Sequence, residues 1–162
     1  MTREELAIVL KEYGQAAALG AVALDEGGHA LLFLTADLPI HLFLPPGSED
    51  FMVLADLGPL PPAEKAALVL EDLLTANYLS RADREGILTV LPESGRVFLM
   101  FRPGPAAAEA EVFFWFMKRV ETLGLAWRSD YSGLLEGEDD LAGGLGQATA
   151  EEPEIPAEAL QL

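Results

Sequence analysis

The chain has no cysteine. Disulfides, thiolate metal sites and cysteine nucleophiles are excluded together, and the absence fits a reducing compartment. Basic residues are scarce: 10 Lys and Arg stand against 27 Asp and Glu, a formal net charge of -17. A polyphosphate partner would be repelled, so nucleic-acid binding is not expected, and anionic membrane surfaces are disfavoured by the same sign argument. No apolar run approaches the roughly 20 residues that span a bilayer. The start, Met1-Thr2-Arg3-Glu4-Glu5, is acidic and opens a helix, unlike a signal peptide. A soluble cytoplasmic protein is the expectation.

Signatures of chemistry are equally thin. The sequence carries no zinc-protease helix motif, no phosphate-cradling glycine loop, no nucleophile elbow and no dinucleotide fingerprint. The only histidines, His29 and His41, each lie within or beside an apolar strand with no second ligand type at metal-site spacing. They read as strand-face residues, and neither a metal nor another cofactor is expected. The carboxylates fall on helix faces (Glu4, Glu5, Glu71, Asp72) or in turns. A hidden acid–base pair among them is the remaining route to an enzyme.

Hydrophobic residues make up 51% of the 162 positions, enough for one core and one domain. Thr2 and Glu5 have the spacing of a capping box, and Leu6, Val9, Leu10, Tyr13 and Ala17 recur on one helical face. This predicts a first helix ending near Gly20. Residues 21–24 read as a short strand, Asp25-Glu26-Gly27-Gly28 as a turn, and residues 30–35, 38–44 and 51–57 as further extended segments. Pro61 and Pro62 precede a second helix over residues 63–79. Residues 87–91 and 96–102 form a hairpin around Pro92-Glu93-Ser94-Gly95, and a third helix runs from residue 106 to about Trp127. Strands grouped between helices, in the order α-β-β-β-α-β-β-α, predict an α+β fold with a mainly antiparallel sheet.

The composition changes at Ser132. Residues 132–162 hold five glycines, two prolines and eight acidic residues without a Lys or Arg. A folded domain over residues 1–131 and an acidic, glycine-rich, flexible tail over 132–162 are expected, because so few apolar anchors cannot offset ordering entropy.

Leu31-Leu32-Phe33-Leu34 is apolar on both faces, and Leu38, Ile40, Leu42 and Leu44 alternate with Pro39, His41 and Phe43. A one-sided antiparallel sheet alternates apolar with polar, so the second face needs a cover. That cover is either another helix of the chain or a partner. Phe113-Phe114-Trp115-Phe116 turns by about 100° per residue and surrounds the third helix with aromatics, as in a core helix wedged between the sheet and the first helix or one that helps line a subunit or partner surface. Leu70, Leu73 and Leu74 give the second helix more apolar surface than one sheet face requires, and a two-fold dimer would use it.

Several stretches carry a family resemblance: Leu24-Asp25-Glu26-Gly27, Leu57-Gly58-Pro59-Leu60-Pro61, Leu73-Leu74-Thr75-Ala76-Asn77, and the final helix with Trp127. Over residues 6–127 the chain resembles the class I type III secretion chaperones, the Tir-chaperone-like (CesT-like) family of bacterial proteins. The extension after Ser132 departs from that family's compact end.

The resemblance implies a homodimeric, non-enzymatic cytoplasmic chaperone. Such a protein holds the N-terminal segment of a secreted effector partly extended, soluble and secretion-competent, by strand addition and groove docking. Carried onto this chain, it implies partner contacts at Leu32, Leu34, Ile40 and Leu42, and dimer contacts at Leu70, Leu73, Leu74, Phe98 and Met100. The face assignment depends on register, since a one-residue slip reverses it. Three other readings stay open: an adaptor of the same fold for a regulator of the secretion system, a small enzyme or ligand-binding domain using the carboxylates, and a chaperone-like domain in a bacterium without the secretion system.

Overall fold

The computed structural model describes residues 1–34, 38–80 and 86–136. Its elements follow the expected order: α1 (Arg3–Ala16), β1 (His29–Phe33), β2 (Pro39–Phe43), β3 (Met52–Pro59), α2 (Ala63–Ser80), β4 (Ile87–Leu91), β5 (Arg96–Phe101) and α3 (Ala110–Glu136). A short 3-10 turn, Pro105–Ala108, leads into α3. The five strands form one antiparallel sheet in the order β1-β2-β3-β5-β4. The fold is α+β, as the grouping of strands predicts.

The capping box at the start of α1 is present: Glu5 N–H donates to Thr2 Oγ1 at 3.2 Å, and Thr2 N–H donates to Glu5 Oε2 at 2.7 Å. Leu6, Val9, Leu10 and Tyr13 then bury the inner face of the helix. Across the sheet, period-2 alternation sends Ala30, Leu32, Ile40, Leu42, Val53, Ala55, Val97 and Leu99 inward, all buried. On that side α3 packs across the sheet, close enough that a Cβ on Gly124 would stand 3.0 Å from the Cβ of Ala55. Phe116 meets Phe101 edge-on there, and Phe113 meets Tyr13 of α1 in the same manner.

Three expectations are corrected. Residues 21–24 form no strand. Their apolar alternation packs Val22 and Leu24 on the core, Val22 lying directly under Gly14 of α1, rather than pairing them with a neighbour. Helix α1 stops at Ala16, earlier than Gly20. Helix α3 runs past Trp127 to Glu136, taking in residues 132–136 that composition assigns to the tail. Its last turns are held by packing: Tyr131 is buried, its hydroxyl donates to the Pro59 carbonyl at 2.7 Å, and Leu134 and Leu135 pack on the core. The flexibility expected of the rest of the tail, 137–162, concerns residues outside those described.

Candidate partner-binding face

The sheet has two edges, β1 and β4. The β4 edge is capped by α2 at one residue: Asn77 Nδ2 donates to the Leu88 carbonyl at 2.8 Å, and Leu88 N–H donates to Asn77 Oδ1 at 2.7 Å, while the backbone of Val90, of the same parity, also faces off the edge. At Leu88 one side chain thereby supplies the two bonds a neighbouring strand would.

The β1 edge is different. Leu44 N–H donates to the Gly28 carbonyl at 2.9 Å, so the backbone of residue 28 points toward β2. Alternation turns that of His29 away, and the turn satisfies it: Asp25 N–H donates to the His29 carbonyl, and His29 N–H donates to Asp25 Oδ1. Gly28 makes this turn possible. Its φ is +81°, and a Cβ there would collide with the Leu44 carbonyl oxygen. Arg3 fixes the turn from α1 by donating to the carbonyls of Asp25 and Glu26. By the same alternation, the N–H and C=O groups of Leu31 and Phe33 point off the edge of the sheet.

Leu31 and Phe33 also lie on the outward face, with relative exposures of 45% and 57%. Leu31 sits opposite His41, and Phe33 opposite Pro39. The face continues through Phe43, Met52 and Leu54 to Phe98 and Met100. Two histidines meet on it: His29 Nε2 is 3.0 Å from His41 Nδ1, the rings stack with centroids 5.2 Å apart, and His41 meets Phe98 edge-on. Burial holds His41 below the usual histidine range, and neighbouring His29 adds to the effect. Asp56, buried on the same face opposite Phe98, accepts from Arg96 Nε at 2.7 Å and from Gly58 N–H, so its charge is already matched.

The residues expected to touch a partner are placed otherwise. Leu32, Ile40 and Leu42 are buried in the core, and Leu34 is partly buried against it. The register sets their parity inward, so a segment lying on the outer face meets Leu31, Phe33, Pro39, His41 and Phe43 instead. Of the expected dimer residues, Leu70 and Leu74 are exposed on α2, Leu74 at 70%, and Met100 is partly exposed. Leu73 and Phe98 are buried within the protomer, Leu73 because it lies on the inner side of α2, Phe98 among its neighbours on the sheet. Beside Leu74 and Tyr78 a groove of about 760 Å³ opens over Ile87, Met100 and Phe116. Among the described residues, no three His, Asp or Glu side chains converge as metal ligands, and no helix is long and apolar enough to cross a membrane.

The model of the Tir chaperone protein (CesT) family matches residues 9–114, from the middle of α1 through the whole sheet and α2 into α3. The chain belongs to the CesT family. A comparison with curated proteins finds no match. Among solved structures, this CesT-family chain is similar to one in the crystal structure of the ExsC–ExsE complex, with a TM-score of 0.65 and 18% identity over 78% of this chain and 93% of that one. It is also similar to a chain in the structure of the HopA1–SchA chaperone–effector complex, with a TM-score of 0.62 and 12% identity over 80% of this chain and 98% of that one. At such identities the likeness is one of fold, and it extends over nearly the full length of both relatives.

Proposed function

We propose that this CesT-family chain is a cytoplasmic type III secretion chaperone. It binds the N-terminal segment of a secreted effector as an added strand on β1 and keeps it soluble and secretion-competent. One observation carries the reading: the β1 edge presents the backbone groups of Leu31 and Phe33 beside their exposed apolar side chains, while Asn77 caps the β4 edge at Leu88. Leu31 and Phe33 are about half exposed, so covering both is worth about 2–3 kcal/mol. Four backbone hydrogen bonds add about 0.5–1.5 kcal/mol each. Ordering an extended segment takes back about 2–5 kcal/mol. Strand addition alone is therefore weak, and tight binding requires the segment to continue onto further apolar surface. The groove of about 460 Å³ between Leu60, Val69 and Leu134 is one such surface.

The α2 patch of Leu70, Leu74 and Tyr78, with Met100, is the surface a homodimer would bury. Leu74→Asp is expected to yield a monomer by light scattering.

The test is an affinity capture from the native organism with the wild-type chain and Leu31→Asp as parallel baits, read by mass spectrometry. Recovery of one secreted protein by wild type and its loss from the variant supports the reading. Recovery of a regulator of the secretion system would make the chain an adaptor acting through the same face. Identical recovery by both baits, or no protein partner for a monomeric chain, would overturn it.

A further inference from the structure

We propose that residues 151–162 of this chain dock in the groove between α2, the end of β5 and α3, with their apolar side chains on its floor and their glutamates against Arg102 and Arg119. The groove, about 760 Å³, is lined by Leu74, Tyr78, Ile87, Met100 and Phe116, and the first three of these are large apolar side chains left exposed. Contiguous apolar surface of this kind marks a binding site. No residue of β1 or β2 lines it, so the proposal stands apart from strand addition.

The charge on its rim selects the occupant. The chain holds only 10 Lys and Arg against 27 Asp and Glu, yet Arg102 and Arg119 both line this groove and no carboxylate does. Among the described residues, no Asp or Glu pairs with Arg102. An apolar groove with cations at its rim fits a segment that mixes apolar and acidic residues. Residues 151–162 are such a segment: Glu151, Glu152, Glu154 and Glu158 are interspersed with Ile155, Leu160 and Leu162, without a Lys or Arg. Pro153 and Pro156 restrict its backbone before binding, which lowers the ordering cost. An acidic partner arriving from solution would meet a net charge of -17 at every encounter.

The chain's own segment is tethered, and its tether has the needed length. Arg119 lies about 25 Å back along α3 from Glu136. Residues 137–150, which include four glycines, join α3 to the segment. A linker of that length and composition spans about 20 Å root-mean-square. Linker and span nearly match, the condition for the highest effective concentration, of millimolar order. Leu74, Tyr78 and Met100 also belong to the patch a homodimer would bury, so the segment and a second copy exclude one another there.

The chain has no cysteine, so Ala150→Cys gives a single attachment point for a nitroxide just ahead of the segment. Amide NMR on the full chain compares each signal with the nitroxide oxidised and reduced, at a dilution where light scattering reads a monomer. The amides of Tyr78, Ile87 and Met100 are expected to lose most of their intensity. Those of Ala30 and Leu32, four strand spacings from Ile87 at about 4.8 Å each, should keep theirs. Arg102→Glu, at an exposed position, and separately the pair Ile155→Asp with Leu160→Asp should each restore the groove amides. Unaffected groove amides in the wild-type background, equal broadening over the whole sheet, or broadening that survives both variants would overturn the proposal. Broadening of an isotope-labelled chain by a spin-labelled second copy would overturn it in favour of docking between copies. A chain that is dimeric at every dilution would also overturn it. None of these results touches Leu31 and Phe33, so strand addition is judged separately.

Discussion

The side-chain amide of Asn77 satisfies both backbone groups of Leu88, at 2.8 and 2.7 Å, and so caps the β4 edge at that residue. Asn77→Leu keeps the volume but leaves a partly buried N–H and C=O unpaired. A loss of about 1–3 kcal/mol in urea denaturation is expected. An open edge also invites association, so the variant should self-associate at high concentration. Unchanged stability would mean that water replaces the amide without cost.

Ala18 is the only described non-glycine residue with positive φ, at +56°. It sits just past the end of α1, where Leu19 N–H donates to the Gly14 carbonyl at 2.9 Å in the geometry of a Schellman close. Glycine adopts this conformation freely, whereas a Cβ costs about 1–2 kcal/mol. Ala18→Gly is expected to stabilise the chain by about 0.5–1 kcal/mol, after allowing for the entropy glycine adds to the unfolded state. A lower melting temperature would contradict this.

Tyr13 is pushed up from 10.0 to about 12, first by burial and then by the negative charge of Glu121. The folded state favours the neutral phenol, so its contribution is whole below pH 10 and is lost as the pH climbs toward about 12. Tyr13→Phe has no phenol to ionise. Its melting temperature should fall less steeply than that of wild type across the same window. Parallel curves would contradict the assignment.

Leu31 and Leu32 are neighbours in sequence with opposite roles. Leu32→Asp places a charge in the core and should cost at least about 3 kcal/mol in denaturant unfolding. Leu31→Asp lies on the outward face and should cost less than about 1 kcal/mol. Reversed values would mean that the register of β1 is shifted by one residue.

The element order was legible because its signals are local: the capping box at Thr2 and Glu5, the proline pair before α2, the turn around Gly95. The parity of β1 and β2 was harder to read, because Leu31 through Leu34 is apolar without interruption. The histidines held the missing information. His29 and His41 share the parity of Leu31, Phe33, Pro39 and Phe43, and a polar ring marks the solvent side. The contact between the two rings is a property of strand register, which neither residue's local sequence encodes. The end of α3 was misread for a similar reason. Gly133 and the acidic residues beyond it suggest a coil, while the bond from Tyr131 to Pro59 is 72 residues long in sequence.

The most direct test of strand addition is amide hydrogen exchange on the chain, alone and bound to the protein it captures. The account predicts that the amides of Leu31 and Phe33 exchange freely in the unbound chain and become protected on binding, while Leu88, already held by Asn77, does not change. Protection confined to α2 and β4, with Leu31 and Phe33 still exchanging freely in the complex, would contradict it.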